Sequence, residues 1–344
     1  MRVLGVLIAA VALSMTAANA LAASKQDWDD CQADDPDRSI AGCTRIIDSR
    51  GETPKNRAIA FYNRGIAYSD KGDQDRAITE YDQAIRLDPN YVSAYNNRGN
   101  SYNRKGEYRR ALQDYDKALQ LDPKYARGFN NRGEVFENLD EPDRAFDAYS
   151  AAIDLDPKYA RARSNRGDIN LYRGDYDAAI ADYTEALRLD GKRVDSYRNR
   201  AIAEYFSGAA EKALADINQA NDLDPTSGYN VLWQEIIGER NNEPSRFLDA
   251  SKKVDTKAWP GPILRLFLGE ATVEATIDAA DNPREKTKRD RTCDAVYFSG
   301  ELALRTKQRD DAVRLFRRAA KDCGRASVGV GVANAELKAL GEKP

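Results

Sequence analysis

The sequence predicts an all-α fold: a solenoid of stacked helix pairs with a stapled cap at each end. Three observations carry this. A 34-residue pattern recurs five times without a gap, at 58–91, 92–125, 126–159, 160–193 and 194–227. Within each copy, small and aromatic residues recur at spacings of three and four, the period of a helix face. Each copy also holds one break near its middle and another near its end, so it contains two helices rather than one. A unit this short cannot bury its apolar face alone, and the copies must stack.

Composition agrees. The 344 residues are 42% apolar and 32% charged, with a mean hydropathy of −0.71. That is too polar for one large core and too apolar for disorder, and it suits the thin continuous core of a solenoid. A net charge of −3, from 53 basic and 56 acidic residues, gives no expectation of a nucleic-acid partner or an anionic membrane surface. Histidine is absent, which removes the commonest metal ligand and the commonest neutral-pH general base. No Gly-rich phosphate loop follows a strand. A non-enzymatic protein without metal or cofactor is expected.

Taken in order, the chain opens on a targeting segment. Arg2 precedes the uncharged run Val3 to Met15, and Ala18-Asn19-Ala20 and Ala20-Leu21-Ala22 offer small residues for cleavage, so 1–23 reads as an export signal. The run is short for a bilayer span; an uncleaved anchor is the alternative. No later stretch resembles a span, and the mature chain is expected in the periplasm or secreted. Export makes the four cysteines, Cys31, Cys43, Cys293 and Cys323, readable as disulfides. Four allow three pairings. Two lie at each end, so Cys31–Cys43 and Cys293–Cys323 are expected, with buried free thiols as the alternative if the chain is not exported.

Residues 24–57 read as an N-terminal helical cap. Its helices run Gln26–Gln32 and Asp37–Ser49 around the Asp34-Asp35-Pro36 break, with Cys43 on an apolar face beside Ile40 and Ile47. In the five repeats, numbered 1 to 34 each, position 8 is Gly65, Gly99, Gly133, Gly167 and Ala201, position 20 is always alanine, and position 24 is Tyr81, Tyr115, Tyr149, Tyr183 and Ile217. Small residues let helix axes approach, and aromatics at 4, 11 and 24 fill the gaps between units. Gly72, Gly106, Gly174 and Gly208 at position 15 suit a left-handed helix end; the third repeat has Asp140 there. Asp-Pro near the end of four repeats stops the second helix; the fourth has Asp190-Gly191.

These positions resemble the tetratricopeptide repeat. The resemblance covers 58–227 and implies antiparallel helix pairs wound into a right-handed superhelix whose first helices line a concave groove. The chain departs from that pattern locally. Position 7, usually Leu, is Arg64, Arg98, Arg132, Arg166 and Arg200. Arg163 replaces a position-4 aromatic, and Asn170 and Glu204 stand at position 11. The arginines are expected to pair with Glu80, Asp114, Asp182 and Asp216 at position 23 as weak exposed ion pairs. Ala148 leaves Arg132 unpaired or redirected.

Residues 228–290 lose the register and read as a degenerate helical segment, with helices at Tyr229 to Arg240, Ser245 to Lys253, after Pro260–Pro262, and at Val273 to Ala280. The basic stretch Arg284 to Arg291 reads as a solvated helix start. Residues 291–344 return to the pattern through Gly300, Ala312, Phe316 and Ala319, and Val330 to Leu340 reads as a helix closing the end.

Function is expected on the groove. Position 6 is Asn63, Asn97, Asn131, Asn165 and Asn199, off the apolar stripe; the resemblance turns it to the groove. A carboxamide donates and accepts at once, so a ladder of five suits the backbone of an extended peptide, local hydrogen bonding being the alternative. Asn96, Asn100, Arg104, Arg127 and Asn130 are expected beside it. Apolar patches flank the polar middle: Tyr62 and Ile66 at one end, Leu171, Tyr172, Ile202, Tyr205 and Phe206 at the other. They read as a partner site or as packing against terminal units. The position-5 lysine of repeats that clamp a C-terminal carboxylate is missing. The expectation is a periplasmic scaffold for a protein or peptide partner; a structural component that self-assembles as a homo-oligomer is the second reading.

Overall fold

The structure is a computed structural model that describes residues 22–281, 285–324 and 328–343. The expected export signal lies almost wholly outside the described residues. Every regular element among them is a helix, and none is long and apolar enough to cross a membrane. The chain divides after Lys105 into two compact units.

The first unit holds α1 (Lys25–Cys31), α2 (Pro36–Asp48), α3 (Pro54–Asp70), α4 (Gln74–Leu87) and α5 (Val92–Arg104). Ser24, Asp35 and Thr53 cap the first three with side-chain oxygens, which satisfies helix-end donors. A disulfide joins Cys31 to Cys43. The buried stripe of α2 is Ser39, Gly42, Cys43 and Ile46: a β-carbon on Gly42 would meet the α1 backbone at 2.5 Å, so α1 presses on that face, leaving Ile47 partly buried at the edge of the core and Ile40 half-buried.

The second unit begins with α6 (Tyr108–Leu121), α7 (Ala126–Asn138), α8 (Pro142–Leu155), α9 (Ala160–Arg173), α10 (Tyr176–Leu189), α11 (Val194–Phe206) and α12 (Ala210–Leu223). Then come α13 (Gly228–Arg240), three short helices α14 (Phe247–Ser251), α15 (Gly261–Phe267) and α16 (Val273–Asp278), and finally α17 (Glu285–Arg305), α18 (Arg309–Asp322) and α19 (Val328–Ala339). A second disulfide joins Cys293 to Cys323. In this unit α7 pairs with α8, α9 with α10, α11 with α12 and α17 with α18, and α8 packs on α9 and α10 on α11.

The pair geometry follows from positions 8 and 24. An added β-carbon would fall 2.6 Å from the Tyr81 ring at Gly65, 2.5 Å from Tyr149 at Gly133, and 2.6 Å from Phe316 at Gly300. The ring occupies the space a side chain would need. Where position 8 becomes Ala201, position 24 shrinks to Ile217, and both are fully buried. The left-handed residue also recurs: Gly72, Gly106, Gly174 and Gly208 have φ between 77° and 88°, and Asp140 takes 63°. Asn242 and Lys307, at the matching place after α13 and α17, take 57° and 62°. The register therefore persists through Asn242 rather than being lost at residue 228.

Position 7 ties each repeat to the one before it. Arg64, Arg166 and Arg200 grip Glu80, Asp182 and Asp216 through paired hydrogen bonds. They also reach Thr44, Ser150 and Thr184 on the preceding second helix, at 2.9, 3.4 and 3.1 Å. Arg98 and Arg132 reach Asp82 and Asp116 at that same preceding site, at 2.5 and 3.1 Å. The bidentate pairs are not exposed as expected: the Asp182 side chain is 7% accessible. Such geometry is stronger than a surface contact.

Candidate functional site

The position-6 asparagines lie on the first-helix face, but their amides are partly engaged. In the first unit, Asn63 points its Nδ2 at Cys31 Sγ, 3.8 Å away, and Asn97 donates to Tyr62 Oη at 3.0 Å. Asn97 Oδ1 accepts from Asn96 at 3.3 Å and from Asn100 at 3.5 Å. Arg104 is exposed and donates to Ser69 Oγ at 2.6 Å. Beside this row, Gln32, Asp34, Pro36, Asn63, Ile66 and Asp70 line a cleft of about 290 Å³ next to the Cys31–Cys43 disulfide.

In the second unit, Asn165 donates to Asn130 Oδ1 at 3.1 Å and Asn199 to Asp168 Oδ1 at 2.8 Å. Asn131 is buried and accepts from Asn130 at 3.3 Å. The donors of Asn165 and Asn199 thus stitch α9 to α7 and α11 to α9, the local role held as the alternative to ligand binding. Position 9 organises this face more than the sequence suggested. Glu134 Oε1 takes Asn130 at 2.8 Å and Arg161 at 2.7 Å. Asp168 takes the Tyr183 hydroxyl at 2.7 Å, and burial raises its carboxyl above the ordinary value.

Two expected groove residues are not on the surface. Asn96 is 4% exposed and Asn130 fully buried; Asn130 meets Asn165 of the neighbouring first helix α9. Asn100 is half-buried, and Arg127 is exposed. The apolar patch at the far end is also covered: Leu171, Ile202 and Tyr205 are buried in one core with residues of α19. Packing against the terminal unit, not an open partner site, accounts for them. The position-11 departures are buried too. Asn170 donates to Asp182 at 3.1 Å. Glu204 has an oxygen without a hydrogen-bond partner, and burial pushes its carboxyl up to about 7.

No cluster of metal-ligating side chains occurs among the described residues. The position-6 face offers amides, carboxylates and guanidinium groups at the spacing of the repeat, the chemistry of backbone and side-chain hydrogen bonding to a peptide.

Comparison with known proteins fits this architecture. A family described as "TPR repeat" matches residues 65–106. Two described as "Tetratricopeptide repeat" match 92–125 and both 130–190 and 164–228. No curated protein matches the chain. Among solved structures, Pseudomonas aeruginosa pilF aligns at a TM-score of 0.57 and 18% identity, over 64% of this chain and 100% of its own. PilW, a type IV pilus biogenesis factor, aligns at 0.53 and 16%, over 65% and 98%. A tetratricopeptide repeat protein from Parabacteroides merdae ATCC 43184 aligns at 0.50 and 18%, over 76% and 91%. At these identities the likeness is one of fold.

Proposed function

We propose that this tetratricopeptide-repeat protein is a non-enzymatic scaffold of the bacterial cell envelope that captures an extended segment of a protein partner on its first-helix face. The observation that carries the reading is the row of half-exposed carboxamides on α3 and α5, Asn63 and Asn97, beside the cleft that contains Ile66. The amides supply hydrogen bonds to a peptide backbone, and the cleft supplies an anchor for one side chain. Two disulfides support a site of action in an oxidising compartment, and the sequence of 1–23 supports export to the periplasm.

The test is capture from a periplasmic extract by the immobilised chain, compared with a variant carrying Asn63→Ala, Asn97→Ala and Ile66→Lys. Each lost hydrogen bond costs about 1 kcal/mol of stability, so circular dichroism must show the variant folded. Capture that disappears with the triple variant and survives Arg188→Ala, a change on the exposed surface of α10, supports the reading. A partner that binds both equally overturns it.

A further inference from the structure

The last helix is a poor helix by itself. Val328–Ala339 reads VGVGVANAELKA, with two glycines and three β-branched valines in twelve residues. Such a segment has low intrinsic propensity, and isolated helices of this length are marginal in water even when rich in alanine. Its helicity comes from what it lies against.

What it lies against is α18 on one side and α9 on the other. Contact with α9 is close: a β-carbon added at Gly331 would fall 2.6 Å from the Tyr172 carbonyl oxygen and 2.8 Å from that of Leu171. Val332, Ala333 and Leu337 are buried in the same core as Leu171, Ile202 and Tyr205. Glu336 accepts two 3.0 Å hydrogen bonds from Arg240 of α13. That guanidinium also stacks over the Tyr205 ring, 4.7 Å from its centroid. At the far end, Arg309 of α18 donates to the Leu340 carbonyl at 2.8 Å. The segment therefore sits across the first helices of the fourth and later units, on the face where this fold presents its binding surface.

We propose that the face built by α9, α11 and α13 is a helix-binding groove, and that α19 is its intramolecular ligand, displaced by a partner helix bearing the same pattern. The groove reads five positions. A position without a side chain meets the α9 carbonyls, apolar residues follow at one, two and six places on, and a carboxylate five places on meets Arg240. Closure in cis lowers the affinity for any partner by the fraction of time the groove is free. This rests on the first-helix face being the binding face, and it names the chemistry of the partner there.

The test uses the full chain and a fluorescein-labelled peptide of residues 328–342. Gly331→Ala places a methyl group against fixed carbonyls and releases α19. Glu336→Ala removes the ion pair without adding bulk and serves as the second variant. The expected result has two parts: hydrogen exchange of α19 amides at least tenfold faster in the variants, and peptide binding at least tenfold tighter to them than to the unaltered chain. A peptide carrying Gly331→Leu or Glu336→Lys is expected to bind at least tenfold more weakly than the unaltered peptide. Three results overturn the proposal: protection of α19 unchanged in both variants, equal peptide binding by all three proteins, or equal binding of the altered peptides. Capture through Asn63 and Asn97 is measured separately in the other unit. Loss of one result with survival of the other separates this groove from the proposed function.

Discussion

The two stapled ends of the chain use one device for different work. At the N-terminal end, α1 and α2 are joined by a disulfide across a separation of 12 residues and pack a small core of Cys31, Cys43, Ile46 and Ala60. Arg45 and Arg38 pair there with Asp27 and Asp30 at the surface, and a buried acid of the cap, Glu52, is held by uncharged donors, Ala23 N and Asn56 Nδ2. At the C-terminal end, the disulfide spans 30 residues, and the core runs on through Trp233, Tyr297, Phe298 and Phe316. Acids there are buried: Glu301 and Glu336 are 6% and 1% exposed and share Arg240. The first end closes a stack. The second closes a stack and also covers the face of α9, α11 and α13 with α19. Two buried acids that share one cation are the difference between the ends.

Four experiments test that contrast, the largest effect first. Replacing Cys293 and Cys323 by alanine is expected to destabilise the chain by about 4 kcal/mol and the Cys31/Cys43 pair by about 3 kcal/mol, from loop-closure entropy, measured by urea unfolding. Equal losses would say that the ends differ less than their cores imply. Arg240→Ala is expected to cost about 2–4 kcal/mol in the same assay, because it leaves two buried carboxylates without their cation, discounted because Arg240 is itself 42% exposed.

The third is a pair of opposite pH responses. Burial raises Glu301 to about 8, Glu336 adds to the shift by repulsion, and Arg240 opposes it. Glu336 is raised by burial as well. Tyr205 of α11, Tyr297 of α17 and Glu239 of α13 face the same cluster, and Tyr176 of α10 feels Glu336. With folded values above the ordinary 4.5, docked α19 holds more protons than released α19. Its stabilisation is complete below about pH 4.5 and is lost as pH rises through about 8. Asp27 is the reverse: the Arg45 hydrogen bond, then Ser24, lowers it to about 2, so its contribution is present above the ordinary 3.8 and is lost as pH falls towards 2. Hydrogen exchange, corrected for intrinsic rates, is expected to show α19 loosening between pH 6 and 9, and α1 only in acid. A pH-independent α19 would break the contrast. The smallest effect is Arg45→Ala, whose ion pairs are exposed and whose melting temperature at physiological salt is expected to match the unaltered chain.

Much of this fold was legible because the repeat constrains it many times over. The small residue at position 8, the left-handed position 15 and both disulfides rest on spacing, whereas the position-24 ring, expected to fill the gap between units, packs on position 8 of its own unit. The arginine pairing at position 7 was legible through the acid sixteen residues on, but its second partner on the preceding repeat was not, since Asp82, Ser150 and Thr184 share no chemistry beyond a side-chain oxygen. The candidate site was less legible. Asn96 and Asn130 look like surface residues by type, and only the packing around them buries them. Leu171, Ile202 and Tyr205 announced an apolar face but not its occupant. A segment as rich in glycine and valine as 328–333 gives no sign by itself of the surface it will fold against.

The seat of α19 also sets how this array can vary by descent. An open stack in which each unit meets only its neighbours tolerates gain or loss of a unit. Here Gly331 must reach the Tyr172 carbonyl while its own helix stays anchored to α18. A duplicated 34-residue unit inserted between α9 and α17 would separate those two anchors, whereas one inserted before α9 would leave them together. The tail therefore acts as a ruler for the repeats it spans. Among related chains that keep a glycine at this place, copy number is expected to be fixed between α9 and α17 and free to drift only upstream of α9.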